Sequence, residues 1–231
     1  MTSMRNFLLL TTMMFCGMCR TYSFSPKAHV VGNVNSAQSF TRYHSKLQVA
    51  KDEQTISLAD QEKVMAYAES VGVKLSLTTL GPGYRAVARA LHDEKQILGY
   101  CEGFVRPGGN ILHVDKLEVW KKALDRAKKE NPDGFKNGGQ VFGVSLLLGY
   151  MTMLYGKEKN CSIAEFLAID DEDFQHKRLV RFFQRAGFKK IRYVGEDISN
   201  IPDRLVWGGC GTLMNQTIEN LLDMWNKILF K

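Results

Sequence analysis

The stretch Gln140-Val141-Phe142-Gly143-Val144-Ser145 decides how this chain is read. Gly138-Gly139 precedes it, and an apolar run follows to Tyr155. Glycines ahead of such a run let a backbone approach a ligand closely. A helix start also carries N–H groups with no partner inside the helix, and these favour an anion. Leu146, Leu147, Leu148, Met151 and Leu154 supply the core stripe of that helix. The pattern predicts a helix over 143–155 and a phosphate-type anion site on 140–145. The same residues also suit an ordinary turn between two elements. Gly138-Gly139-x-x-x-Gly143 lacks the GxGxxG order of dinucleotide sites, and no GK[ST] follows.

Upstream, strand-like runs cover 75–80, 84–91, 97–105 and 111–120, separated by turns such as Gly81-Pro82-Gly83 and Arg106-Pro107-Gly108-Gly109-Asn110. Short turns of this kind predict antiparallel hairpins. Ser57 reads as the cap of a first helix that ends at Gly72. Downstream, strands are expected at 161–169, 189–194 and 204–208, and helices at 121–130, 173–186 and 217–229. An antiparallel meander feeding a β-α-β unit is a mixed sheet, so the fold class is α/β (α+β mixed sheet) with about six or seven strands flanked by helices.

The chain has 231 residues and a net charge of +7. Residues 1–51 hold no Asp or Glu but six bases, Arg5, Arg20, Lys27, Arg42, Lys46 and Lys51. The other 180 residues hold 25 bases against 24 acids. A nucleic-acid-binding domain carries its positive field on the folded part, so no nucleic-acid partner is expected. No stretch has the roughly 18 apolar residues that a membrane span needs. Arg5 and the apolar run 7–19 read as a signal segment, and the acid-free stretch 24–51 as a transit peptide. Tyr22-Ser23-Phe24-Ser25-Pro26 resembles the motif that opens bipartite presequences of secondary plastids. That implies a plastid (chloroplast) destination, with secretion through the ER as the alternative. The expected organisation is a presequence over 1–51, a first helix over 52–72, and a domain over 73–231. Cys101, Cys161 and Cys210 are an odd set in the mature part and suit a reducing compartment; Cys16 and Cys19 fall in the leader.

Three segments in order carry a family resemblance. They are Ile111-Leu112-His113-Val114-Asp115-Lys116-Leu117-Glu118-Val119, then Gln140–Ser145, then Arg181-Phe182-Phe183-Gln184-Arg185-Ala186-Gly187-Phe188. Together they resemble the fourth strand, the Gln/Arg-x-x-Gly-x-Gly/Ala loop and the Tyr-x-x-x-Gly-Phe helix end of the GNAT superfamily of N-acetyltransferases. The likeness spans about 73–214. It implies transfer of an acyl group, acetyl above all, from acyl-CoA to an amine by direct attack; the alternative is a weakly active or inactive module of the same fold that binds CoA or a protein. Acetyl-CoA or another acyl-CoA is the implied cosubstrate, without metal, and the acceptor is a small molecule or a protein.

The resemblance maps the pyrophosphate to Gln140, Val141, Phe142, Gly143, Val144 and Ser145, with the Ser145 hydroxyl as a possible phosphate contact. It maps the pantetheine arm to Leu117 and Val119, and the flank of the thioester to Phe183. Glu118 and His176 are the implied catalytic candidates; Asp115 and Glu165 are alternatives as base. Three departures stand out. Residues 120–139 lengthen the segment before Gln140, Ser145 replaces a Gly or Ala, and Phe183 stands where a proton-donating Tyr is usual. Structural readings remain for His113 as a strand residue and for His176 as a helix polar residue. The acids 170–173 suit capping of the helix that follows.

Overall fold

Runs of apolar and β-branched residues punctuated by glycine turns dictate a hairpin sheet. The computed structural model describes residues 60–135 and 140–230. The expected presequence, Ser57 and the pair Gly138-Gly139 lie outside the described residues. Helix α1 spans 60–70. Strands β1 (Val73–Leu80), β2 (Gly83–Ala90), β3 (Ile97–Val105) and β4 (Ile111–Val119) follow as an antiparallel meander. Then come α2 (Lys121–Glu130), α3 (Val141–Glu158), β5 (Ile163–Ile169), α4 (Asp173–Arg185) and β6 (Lys189–Val194). Helix α5 (Ile201–Trp207), β7 (Gly211–Thr217) and α6 (Ile218–Leu229) complete the described chain.

The seven strands form one mixed sheet in the order β1-β2-β3-β4-β5-β7-β6, with only β4 and β5 adjacent and parallel. The crossovers β4-α3-β5 and β5-α4-β6 advance in the same direction across the sheet. Right-handed connections therefore put α3 and α4 on the same face. Helices α1 and α6 join them there: Tyr67 and Tyr150 both pack edge-on against Phe230, and Trp225 lies on Gly149. Helix α3 is buried continuously from Val144 to Gly156, which explains why its sequence is apolar all round. Helix α2 buries only Leu124 and Ala127 and keeps its charges in solvent, as a charged insertion should.

The expected strand at 204–208 is instead α5. Pro202 in its first turn lacks an N–H that would be orphaned anyway, and Gly208 closes it with φ 72°. The strand that the sequence hid is β7, inserted between β5 and β6. Its polar end, Asn215-Gln216-Thr217, masks the pattern. Its opening residue must be glycine, since a Cβ on Gly211 would meet the Ala168 carbonyl oxygen at 2.2 Å. No helix among the described residues is long and apolar enough to cross a membrane.

Candidate functional site

Strands β4 and β5 pair only at Ile111–Ile163, Leu112–Ala164 and His113–Glu165, and then part. A bulge starts the separation: Glu102 faces Lys116 but Gly103 faces Val114, so Asp115 is the extra residue. Beyond it the β5-facing edge of β4 is unpaired. The Trp120 N–H bonds back to Leu98 on the β3 side. By strand alternation the backbone groups of Leu117 and Val119 therefore point into the gap. The result is an open parallel edge inside a sheet, flanked by the cofactor-binding candidates Leu117 and Val119.

Helix α3 starts at the open end of this gap. Residues 141–145, expected as a loop, form its first turn, with Gln140 at the cap. The first intrahelical bond runs from Val144 N–H to the Gln140 carbonyl, so the N–H groups of Gln140, Val141, Phe142 and Gly143 have no helical partner. Gln140 gives no side-chain cap, and the first turn holds no acid. Among the described residues no acid of the cap or first turn offsets the positive end of the helix. The buried Ser145 hydroxyl donates to the Val141 carbonyl at 2.8 Å.

The walls of the gap on the α3 face are apolar: Val114, Leu117, Phe166, Phe182, Phe183 and Phe188. Phe183 lies 3.7 Å from the Phe166 ring centroid and Phe182 stands edge-on to it. Together they leave a cavity of about 30 Å³, room for about one water. Cys101 also lines it, and burial pushes this thiol up to about 12, so it is no nucleophile at neutral pH.

Phe182 also borders an open groove of about 430 Å³ walled by Phe174, Arg178, Arg181 and Arg185. Its ring meets Phe142 of the first turn of α3 at 5.7 Å, so the arginine row stands beside the uncapped helix start. The sequence reading missed these arginines, although their three- and four-residue spacing puts them along one helix side.

The two catalytic candidates fall on opposite faces of the sheet. Leu112 meets Gly156 of α3, so by alternation, reset at the bulge, Leu117 faces α3 while His113, Lys116 and Glu118 face away. The Glu118 carboxylate accepts from Trp120 Nε1 at 2.9 Å, from Tyr100 at 3.3 Å and from Lys116 Nζ at 3.2 Å. Trp120 first, with Lys116 and Tyr100, holds its carboxyl below the usual range. Such a group is an ionised anchor for a cation and a weak base.

His176 sits on the α4 face. Its Nδ1 is 3.1 Å from Asp170 Oδ1 and its Nε2 is 2.9 Å from Thr212 Oγ1. Tyr193 donates to the other Asp170 oxygen at 2.8 Å. Nδ1–H donating to the carboxylate fixes the tautomer and leaves the Nε2 lone pair to accept from the hydroxyl. Asp170 is thus the partner of His176, and no side chain caps α4; this corrects the capping expectation for the acidic run, in which only Asp173 lies in the first turn.

A second polar group lies on the face away from α3, at the root of the gap. His113, fully buried, is stacked between Phe104 at 4.4 Å and Trp207 of α5 at 3.9 Å. Arg106 reaches Glu165 at 3.2 Å and His113 Nδ1 at 3.4 Å. Because Arg106 can only donate, Nδ1 accepts and the imidazole proton is on Nε2. Burial, and then the Arg106 charge, push His113 down to about 4. His113 Nε2, Arg106 Nε and Trp207 Nε1 are buried and have no hydrogen-bond partner. An unpaired buried donor costs about 1–3 kcal/mol. Asp115 and Glu165, the alternative bases, border this group: Asp115 Oδ1 is 3.9 Å from His113 Nε2.

Among the described residues no group of three His, Cys, Asp or Glu side chains could hold a metal ion. No protein-family model and no curated protein matches the chain. Solved structures similar to it include Ard1 from Thermoplasma volcanium, at 13% identity and TM-score 0.37, covering 58% of this chain and 69% of that one. Another is the aminoglycoside 6'-N-acetyltransferase from Enterococcus faecium, at 10% identity and TM-score 0.38, covering 61% and 75%. A third is an aminoglycoside 6'-N-acetyltransferase complexed with coenzyme A, at 13% identity and TM-score 0.34, covering 58% and 73%. The overlaps are partial, and the site rests on this chain's own geometry.

Proposed function

We propose that the chain is an acyl-CoA-dependent N-acyltransferase in which an amine attacks an acyl group held between β4 and β5. One observation carries this reading: unpaired strand backbone at Leu117 and Val119 meets an uncapped, acid-free helix start at Gln140–Gly143. A chain of amides with a thioester at one end and a pyrophosphate at the other needs that pair of surfaces. Acyl-CoA would supply the acyl group in activated thioester form, most simply as acetyl-CoA. The N–H groups of Gln140 to Gly143 and the charges of Arg178 and Arg181 would bind its phosphates. The backbone of Leu117 to Val119 would orient the arm and the acyl carbonyl, after Phe182 and Phe183 yield space.

Helices α1, α3, α4 and α6 cover one face of the sheet, so the acceptor amine would enter from the α5 face. Glu118, or its alternatives Asp115 and Glu165 on the same face, would hold it as a cation there, and His176, with Asp170 behind it, would hold a proton-accepting Nε2 on the other side. The bound ammonium first gives one proton to solvent; as the neutral nitrogen then bonds to the acyl carbon, the carbon–sulfur bond breaks and a second proton leaves the nitrogen for water or the His176 Nε2. Phe183 has no proton to give, so the sulfur would leave as thiolate, which a thiol pKa of about 8.5 permits. Delivery to a plastid by residues 1–51 belongs to the same proposal, on the acid-free basic composition of that segment. A fluorescent fusion of 1–51 retained in the secretory path would overturn it.

A second reading, a CoA-binding module without turnover, is favoured by the aromatic filling of the gap at Phe166, Phe182 and Phe183. Thermal-shift titration of the chain with acetyl-CoA, run beside a thiol-release assay on an amine panel, separates the two. Stabilisation with thiol release is expected. Stabilisation without release selects the module, and no stabilisation at millimolar acetyl-CoA sinks both. Gly143→Glu puts bulk and negative charge at the helix start and should abolish the stabilisation.

A further inference from the structure

The polar group under α5 is built like a receptor: beside its Arg106–Glu165 and Arg106–His113 contacts, three of its N–H donors serve no bond in the fold. Its three unpartnered groups are all N–H donors on rigid frames: a ring at His113, a ring at Trp207 and a guanidinium at Arg106. None can rotate its hydrogen toward a new acceptor as a hydroxyl can. Oxygens of opposite character stand beside them, on Glu165 at 3.2 Å from Arg106 and on Asp115. Donors lacking an acceptor next to carboxylates are the complement of a zwitterion, with its carboxylate toward the N–H groups and its ammonium toward the acids. The pair His113–Glu165 is the last rung before β4 and β5 part, so an ammonium held there adjoins the gap.

We infer that Arg106, His113 and Trp207 form the carboxylate subsite for a small α-amino acid, with Glu165 and Asp115 facing its ammonium. This names the acceptor class for the acyl transfer proposed above and rests on that reading for its catalytic part only. Helix α5 is the cover of the subsite. Among its residues only Trp207 is buried, while Leu205 is 82% exposed. Gly208 and Gly209 follow it, and a Cβ on either would meet nothing within 4 Å; admission of the ligand by Trp207 lifting about this pair belongs to the inference.

The test needs no acyl-CoA. The full chain is titrated with glycine and alanine, with their methyl esters, and with acetate, following tryptophan fluorescence and melting temperature. The expected result is saturable binding of the free amino acids at least tenfold tighter than of either the esters or acetate, with the fluorescence change lost in Trp207→Phe. His113→Phe keeps the stack and removes one orphaned donor, so it should melt no lower than the parent yet bind the amino acids at least tenfold more weakly. Arg106→Lys keeps the charge and removes the Nε–H donor, and should weaken them similarly. Equal binding of acids and esters, or unchanged binding in both variants, overturns the inference. So does an absence of binding, which would assign an internal water only to these donors. Amino-acid binding without thiol release on adding acetyl-CoA would leave the subsite standing and break the transferase reading.

Discussion

Strand β4 presents two faces that obey different rules. Toward α3 it offers Leu112, Val114 and Leu117, which pack among Gly156, Phe166 and Met153. The orphaned polar atoms of α3 are the hydroxyls of Thr152 and Tyr155, whose hydrogens, unlike ring N–H groups, can rotate. Toward α5 the strand offers His113, Lys116 and Glu118; the His113 Nε2–H donor has no partner, like Arg106 Nε and Trp207 Nε1 beside it. One face spends its burial on stability. The other buries polar groups without pairing them, a state that persists where a ligand completes it. The difference locates chemistry by what the fold fails to use.

The largest way to break this comparison is to truncate the apolar side. Leu147 is fully buried in α3. Leu147→Ala should lower unfolding stability by about 3 kcal/mol through lost burial and a cavity. Glu118→Ala, on the other face and partly exposed, should change it by no more than about 0.5 kcal/mol. Urea unfolding of the two variants measures both. Comparable losses would mean that the faces do not differ as described.

Acid sharpens the same contrast. His113 in the folded state resists protonation down to about pH 4, against a usual value near 6.5. As pH falls below 6.5 the unfolded chain takes up the proton first, so stability declines through that window and levels below pH 4. A shift of this size corresponds to about 3 kcal/mol at its full extent. Carboxylates titrate there too, so the quantity to measure is the parent's stability minus that of His113→Phe from pH 7 to 4. That difference should fall with acid; a flat line would show that His113 is not held neutral by its burial.

The fold was largely legible because its signals were local. The hairpins follow from Gly81-Pro82-Gly83 and from the turn at 106–110, and the uniform apolarity of 144–156 follows from burial of α3 on all sides. Strand β7 and helix α5 were not legible. Gly211 is fixed by a neighbour 43 residues earlier in sequence, Ala168. Leu205 and Val206 looked like a strand, until Pro202 and Gly208 were given their roles as helix ends. In the site, the anion end was readable because glycines and an apolar helix announce it. The pairing of Asp170 with His176 and Thr212 was not, because three elements must meet to make it. The stack of His113 on Trp207 escaped for the same reason: no spacing rule joins residues on β4 and α5.

The arginine row tests whether the α3 face is functional at its rim though apolar within. Arg181 borders the groove beside Phe182 and donates to the Lys177 carbonyl from its own helix, with no acidic partner among the described residues. Arg181→Ala should weaken acetyl-CoA binding about tenfold, near 1.4 kcal/mol, and flatten its salt dependence. Melting temperature without ligand should hardly move. Calorimetric titration at two salt concentrations reads this, and unchanged affinity would detach the groove from the phosphates.

The smallest effect probes the relay on α4. Thr212→Val is nearly isosteric and removes only the hydroxyl that His176 Nε2 meets at 2.9 Å. A lost hydrogen bond of this kind costs about 1 kcal/mol, and the largely buried His176 keeps its contact with Asp170. Stability should therefore fall by about 1 kcal/mol or less. If the bond is structural, that is the whole effect. If His176 takes part in proton transfer, the rate of thiol release should also change, since Thr212 no longer contacts the nitrogen that accepts the proton. Asp170→Asn should lower that rate further, because it removes the carboxylate that holds the His176 Nδ1 at 3.1 Å and orients the ring. Stability changes without any change of that rate in either variant would confine the relay to the fold, leaving Glu118 as the catalytic candidate in contact with the acceptor.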